Sequence, residues 1–176
     1  EIVAGIWQVG ADVPTKGFEG VSKVYVWDNK GELLKNWPQQ TNIGDSQSAN
    51  PSPVLADING DSNVDIIFAM DSGEIYAWDV SGRRLEGWPK NTGENWMANF
   101  PVVDDIDNDR DIELGVSSGN KVYILDLEFP YNPAVNEWSM YQNNIRRTGT
   151  YLKKESLKVF LKGDLNKDGC FNLVDF

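Results

Sequence analysis

Residues 53–68 read PVLADINGDSNVDIIF, and residues 101–116 repeat that pattern as PVVDDIDNDRDIELGV. The two stretches are offset by 48 residues, and each places an acid-rich turn between two apolar segments. Self-similarity at a fixed period of about 20–50 residues marks a repeat architecture. The pair therefore predicts a chain that is built from repeated units.

The same period extends to the segments on either side of the acidic turns. An aromatic or apolar strand that ends in Asp occurs at 24–28, 75–79 and 122–126. A Trp-Pro turn occurs at 36–38 and 87–89. Residues 1–4 align with residues 65–68, so we expect the first unit to lack its front strand and residues 10–20 to form a loop insertion.

The middle unit contains four short β-type segments that turn residues separate. They are Pro53–Ala56, Asp65–Met70, Glu74–Asp79 and Arg84–Trp88. Four short strands in a unit of about 40–50 residues are typical of a β-propeller blade. We therefore expect an all-β fold, an incomplete β-propeller of about three four-stranded blades with calcium-binding loops, plus a short C-terminal EF-hand-like half-module.

The two acidic turns, called the first acidic loop (57–65) and the second acidic loop (105–113), carry oxygen-bearing side chains at alternate positions. The candidate metal ligands are Asp57, Asn59, Asp61, Asn63, Asp65, Asp105, Asp107, Asp109, Asp111 and Glu113, with Asn63 and Asp111 at position 7 acting through their backbone carbonyls. Alternate residues of a tight loop point toward one centre, and Ca²⁺ accepts roughly six to eight oxygen ligands. The alternative is an Asp-rich surface turn without an ion, which two copies in register disfavour.

These loops differ from EF-hand loops. Position 9 of each loop leads directly into an apolar strand, and position 12 carries no acidic residue. A sensor that opens a pair of helices is therefore disfavoured. Gly60 and Asn108 at position 4 suit a turn with positive φ.

The units resemble FG-GAP or VCBS repeats, the calcium-loop blades of integrin-α-like β-propellers and of many secreted microbial proteins. The matching residues are DINGD at 57–61, DII at 65–67, GEIYAWD at 73–79 and GWP at 87–89. The resemblance covers about residues 1–126 and implies a propeller whose ring needs further blades. Ser62 and Arg110 stand where the family usually has a second Gly, which implies slight strain in both loops.

The aromatic residues of the units have two interpretations. They are Tyr25, Trp27, Tyr76, Trp78 and Tyr123. Because they recur at equivalent strand positions, we expect them to pack between blades; a carbohydrate-stacking platform is the alternative.

Residues 137–149 depart from the repeat and resemble a segment that often follows the final blade of secreted propeller proteins. We expect Trp138 and Met140 to dock this closing segment. We expect Arg146 or Arg147 to pair with the acidic loops.

A terminal acidic loop at 163–176 has a different spacing. Its candidate metal ligands are Asp164, Asn166, Asp168, Asn172 and Asp175, with the backbone carbonyl of Cys170. Gly at position 6 and an acidic residue at position 12 follow the EF-hand pattern. The loop resembles the first half of a type I dockerin, which implies a cohesin-type scaffold as partner if the second half is present. An unrelated calcium loop and an empty turn are the alternatives.

Three parts are expected: blades and closing segment at 1–152, a linker at 153–162, and a partial dockerin or EF-hand-like loop at 163–176. The first part opens inside a strand and the last one stops inside a motif. We therefore expect the chain to be a piece of a longer protein.

Composition restricts the function classes. The 176 residues include 16 Lys and Arg, 27 Asp and Glu and no His, which gives a net charge of −11. Such a chain repels phosphate backbones, so nucleic acid is not an expected partner. The absence of His removes the commonest general base and zinc ligand, and a single Cys excludes an internal disulfide. No apolar run is long enough to predict a membrane span.

The sequence predicts a calcium-binding, non-catalytic β-propeller module of a secreted or cell-surface protein, with a dockerin-type attachment element, for adhesion, recognition or enzyme tethering. The alternative is the C-terminal part of a secreted polysaccharide-degrading enzyme or peptidase whose catalytic residues lie upstream. Expected partners are Ca²⁺ as cofactor, a cohesin-type scaffold, and a carbohydrate or protein ligand. An extracellular location is expected because extracellular modules bind Ca²⁺ at roughly 10⁻⁴–10⁻³ M.

Overall fold

The computed structural model describes residues 2–9, 20–41, 52–94 and 100–150, and for residues 2–9 and 20–22 it describes the backbone alone. All regular structure in these ranges is β, as predicted. The strands are β1 (Ile2–Val9), β2 (Gly20–Trp27), β3 (Gln39–Gln40), β4 (Val54–Ala56), β5 (Asp65–Ala69), β6 (Glu74–Asp79), β7 (Lys90–Asn91), β8 (Val102–Asp104), β9 (Asp111–Ser118) and β10 (Lys121–Pro130). Over the same ranges, no helix has the length and apolar character needed to cross a bilayer.

The strands form three small antiparallel sheets, each with neighbours in chain order. The first sheet is β1-β2-β3, the middle sheet is β4-β5-β6-β7 and the third sheet is β8-β9-β10. Among the residues that the structure describes, the middle sheet alone has the four strands expected of each unit. The first sheet lacks the front strand, and the third lacks the last one because the chain after β10 leaves the repeat pattern. None of the three sheets closes into a barrel.

The strand register is the same in all three sheets. Ile2 pairs with Trp27 in the first sheet, Ile66 with Trp78 in the middle sheet, and Leu114 with Leu125 in the third. These pairs are the positions that the sequence alignment of the units places together. The three sheets therefore share one pattern of antiparallel strand pairing.

The expectation of a fourth strand at Arg84–Trp88 is wrong. Arg84 forms an isolated bridge with Trp78, and the paired fourth strand is β7, at Lys90–Asn91. The interruption has a local cause: Gly87 has a φ of 78°, which breaks an extended strand, and a proline follows Trp88 without an N–H to donate.

Two apolar clusters join the sheets face to face. Val24 and Val26 of the first sheet pack with Ile66, Tyr76 and Trp78 of the middle sheet. The opposite face of the middle sheet packs against the third sheet. The buried members of that second cluster are Val54, Ala56, Ile58, Ile67, Ala69, Ile75, Ala77, Leu85, Val103, Ile112, Leu114 and Val116. The middle sheet is therefore covered on both sides, and Tyr76 and Trp78 lie between sheets as expected.

The closing segment docks on the first strands of two sheets. Leu55 and Trp138 exchange backbone N–H···O bonds of 2.9 Å, and the N–H of Val103 donates to the carbonyl of Ser139 over 2.9 Å. Docking through Trp138 is thus as predicted, although its backbone makes these bonds. Arg146 and Arg147 are exposed, and neither forms an ion pair with an acidic loop in the described part of the chain.

Candidate metal centre

The two acidic loops join equivalent strands, β4 to β5 and β8 to β9, and share a frame of Asx hydrogen bonds. In each loop the side chain at position 3 accepts from the N–H at position 5, and position 5 accepts from position 7. The bonds are Asp61 N–H to Asn59 (2.9 Å), Asn63 N–H to Asp61 (2.8 Å), Asp109 N–H to Asp107 (3.2 Å) and Asp111 N–H to Asp109 (2.8 Å). The loop is therefore wound as the alternation of Asp and Asn predicts.

The carboxylate at position 9 is the most buried ligand candidate of each loop. Asp65 is 0% exposed and Glu113 is 3% exposed. One oxygen of each accepts the N–H of position 2, from Ile58 and Ile106 respectively. The other oxygen, Asp65 Oδ1 or Glu113 Oε1, is buried without a hydrogen-bond partner. Each loop therefore holds a carboxylate oxygen that has lost water and gained no donor, which is costly for a charged group.

The pKa values reflect this cost. Burial raises the pKa of Asp65 from 3.8 to about 7, and the charges of Asp61 and Asp57 add to the rise while the Ile58 N–H opposes it. Burial also raises the pKa of Glu113, with repulsion from Asp107 and Asp109 in the same direction. Both carboxylates would be stabilised as anions by a cation beside the unpaired oxygen.

Position 1 differs between the loops. In the first acidic loop, Asp57 Oδ1 accepts the N–H groups of Asn59 (3.3 Å), Gly60 (2.8 Å) and Asp61 (3.2 Å), and its Oδ2 accepts that of Ser62 (2.8 Å). This carboxylate is satisfied by its own backbone.

In the second acidic loop, the carboxylate at position 1 keeps an unpaired oxygen. Asp105 Oδ1 is buried and has no hydrogen-bond partner. Carboxylate oxygens of Asp105, Asp107 and Asp109 lie within 4.8 Å of one another. Among the described residues, this is the group of carboxylates close enough together to share one ion. Three charges at this separation repel unless a cation lies among them.

The predicted ligand positions are therefore assembled to different degrees. The second loop brings the carboxylates at positions 1, 3 and 5 together, and the carboxylate at position 9 is buried. The first loop buries positions 1 and 9, whereas the amide of Asn63 turns back to the carbonyl of Asp61 (3.3 Å) and the amide of Asn59 contacts the carboxylate of Asp61 (3.4 Å). The terminal acidic loop at 163–176 lies outside the described residues.

Backbone conformation agrees with the predicted turn positions. Gly60 and Asn108 have φ values of 75° and 65°. Ser62 and Arg110, which stand in place of a second glycine, also have positive φ, at 65° and 80°. A left-handed conformation at residues with a Cβ is strained, as the resemblance implied.

Two aromatic residues support the loops and were not identified in the sequence. A Cβ at Gly60 would lie 3.1 Å from Phe129 Cδ1, so this ring at the end of β10 covers the first acidic loop. The N–H of Tyr131 donates to the carbonyl of Arg110 (2.8 Å) and ties the second loop to the chain after β10. Burial raises the pKa of the Tyr131 hydroxyl to about 12. Both follow the part of the chain that repeats, so the period could not reveal them.

Comparison with models of known protein families, with curated proteins and with solved structures gives no match for this chain.

Proposed function

We propose that this chain is a calcium-stabilised, non-catalytic β-propeller module of an exported protein. The observation that carries the proposal is the pair of unpaired, buried carboxylate oxygens, Asp65 Oδ1 and Glu113 Oε1, at equivalent positions of two loops. The second loop also brings three further carboxylates close together. A cation bound in each loop would give both of these unpaired oxygens a partner.

Calcium fits the donor set better than other common ions. The candidate donors are carboxylate, amide and backbone oxygens, with no imidazole or thiolate among the side chains. Hard oxygen ligands of this type suit Ca²⁺ or Mg²⁺, whereas zinc and copper sites use His and Cys. A loop of irregular, partly strained geometry suits Ca²⁺, since Mg²⁺ requires near-ideal octahedral coordination.

The setting of the module follows from the same chemistry. A pair of weak, loop-based calcium sites matches the millimolar calcium outside cells, since extracellular modules bind it at roughly 10⁻⁴–10⁻³ M. We propose that the three sheets are propeller blades and that the terminal acidic loop is a dockerin-type attachment element. A cohesin-type scaffold would then be its partner, and adhesion or tethering its role.

Calorimetric titration with Ca²⁺ and with Mg²⁺, combined with native mass spectrometry, tests the proposal. We expect two calcium ions in the described loops, a third and weaker one in the terminal loop, and a higher melting temperature in calcium. Asp65→Asn and Glu113→Gln should each remove one ion, and the matched exposed change Glu86→Gln should remove none. A melting temperature that EDTA leaves unchanged would contradict the proposal.

A further inference from the structure

The two junctions between sheets use the same strand positions. On β6, Ile75 and Ala77 belong to the cluster with the third sheet, and Tyr76 and Trp78 to the cluster with the first. Alternate residues of a strand point to opposite faces. One face of the middle sheet therefore meets the third sheet, and its other face meets the first sheet.

Over the residues that the structure describes, the following face of the third sheet is exposed. Its β10 residues Tyr123 and Leu125 pack against the middle sheet. The alternate residues Val122 and Ile124 are 74% and 53% exposed. Their equivalents Ile75 and Ala77, and Val24 and Val26 in the first sheet, are all 0% exposed.

Three apolar side chains of this exposed patch lie close together. A Cβ at Gly115 would lie 2.8 Å from Val102 Cγ1, 3.5 Å from Ile124 Cδ1 and 3.8 Å from Ile106 Cδ1, so these side chains converge over the glycine. Ile106 is 42% exposed, whereas its equivalent in the middle sheet, Ile58, is 1% exposed. The patch thus consists of the positions that the middle sheet buries against its neighbour.

The first sheet presents the complementary face. Tyr25 and Trp27 stack at 5.4 Å and 9°, as Tyr76 and Trp78 do at 5.4 Å and 10°. The second pair is buried against the valines of the preceding sheet, whereas Tyr25 and Trp27 are only half-buried. The chain therefore carries both halves of the junction that it already uses twice.

We propose that the open face of the third sheet, formed by Val102, Ile106, Val122 and Ile124, binds the Tyr25–Trp27 face of a second copy of this chain. The contact continues the series of sheet junctions from one copy into the next. It is heterologous, because different surfaces meet, and such contacts form a closed ring when the rotation between copies closes.

Analytical ultracentrifugation of the full chain across the micromolar range tests the proposal. The monomer has a mass of 19.8 kDa, and we expect a concentration-dependent species of at least twice this mass. Ile124→Glu places a charge on the exposed patch and should abolish the association. Val80→Glu adds the same charge at another apolar residue, which lies in a turn and is 37% exposed, and should leave the self-association unchanged.

A mixing experiment tests the head-to-tail arrangement. Trp27→Glu should also abolish self-association, while an equimolar mixture with Ile124→Glu should form a one-to-one dimer, because one intact junction remains in that pair. Circular dichroism and thermal melting establish that each variant is folded. A wild-type chain that stays monomeric, association lost equally in Val80→Glu, or a mixture of folded variants that stays monomeric would each overturn the proposal. Repeating the series in EDTA separates this result from the calcium proposal.

Discussion

The two acidic loops have the same spacing and the same Asx frame but use their first carboxylate differently. In the first loop Asp57 accepts four backbone N–H groups, whereas in the second loop Asp105 keeps an unpaired oxygen within 4.8 Å of oxygens on Asp107 and Asp109. The first arrangement stabilises the backbone turn by itself. The second concentrates negative charge, which a bound cation would offset. Two loops with the same spacing can thus differ in whether the first carboxylate is used by the backbone or left unpaired.

The largest effect that we expect is on the pH dependence of the calcium-free protein. Because burial raises the pKa of Asp65 to about 7 in the folded state, its contribution to stability is complete at pH values below about 4. This contribution is lost as the pH rises through 7. The free energy of unfolding from this group should fall by roughly 4 kcal/mol between pH 4 and 8.

Urea unfolding in EDTA at a series of pH values measures this fall. Asp65→Asn should remove most of the slope, and the exposed control Glu86→Gln should keep it. In excess calcium the slope should reverse, since the ion requires the ionised carboxylate. An Asp65→Asn profile that coincides with wild type would show that this carboxylate does not titrate as described.

The next effect separates the two loops directly. Asp57→Ala removes an acceptor of four N–H groups and should lower the free energy of unfolding in EDTA by about 3 kcal/mol. Asp105→Ala, the equivalent change in the second loop, should lower it by less than about 1 kcal/mol and relieves charge repulsion. Equal losses in denaturant unfolding would mean that the loops do not divide their roles.

Calcium affinity should show the opposite order. Asp107→Asn or Asp109→Asn should weaken the second-loop site by about tenfold, which is about 1.4 kcal/mol. The equivalent change Asp61→Asn should weaken the first-loop site less, because that carboxylate is not part of an assembled cluster. Two-site calorimetric titrations of the three variants measure these affinities, and a greater loss in Asp61→Asn would invert the assignment.

The smallest effect concerns backbone strain, which the loops have in common. Ser62→Gly and Arg110→Gly place glycine at φ values of 65° and 80°. Each should raise the free energy of unfolding by about 0.5–1 kcal/mol, because glycine adopts the left-handed conformation without the strain that a Cβ causes. Lys30→Gly, at an exposed turn position without positive φ, is the control and should lower stability slightly. A decrease for both loop variants would rule out strain at these positions.

Much of the fold follows from local patterns in the sequence. The repeated apolar segments around the acidic turns predict the strand pairs and the missing front strand, because register is determined by which face is buried. The fourth strand was misplaced because Arg84–Trp88 has β-type residues, whereas the Gly-Trp-Pro turn moves the pairing to Lys90–Asn91. Turn chemistry there prevails over strand propensity.

The candidate site was predictable in composition but not in detail. Spacing predicts which oxygens face one centre, and in the second loop carboxylate oxygens of Asp105, Asp107 and Asp109 do lie within 4.8 Å of one another. It does not reveal that Asp57 serves its own backbone or that Phe129 covers Gly60. Both depend on contacts that form only after the sheets pack, between residues without a shared period.

The turn after β6 lies at the surface, yet side chains of a neighbouring segment hydrogen-bond to its carbonyls. Trp37 Nε1 donates to the carbonyl of Val80 and Asn36 Nδ2 to that of Ser81, both over 2.9 Å. A Cβ at Gly82 would lie 3.0 Å from Gln39, whereas one at Gly31, in the equivalent turn of the first sheet, meets nothing within 4 Å. An engineer who wishes to graft an epitope or a fluorophore-bearing peptide should therefore choose the turn at Gly31 and leave the one at Gly82 intact.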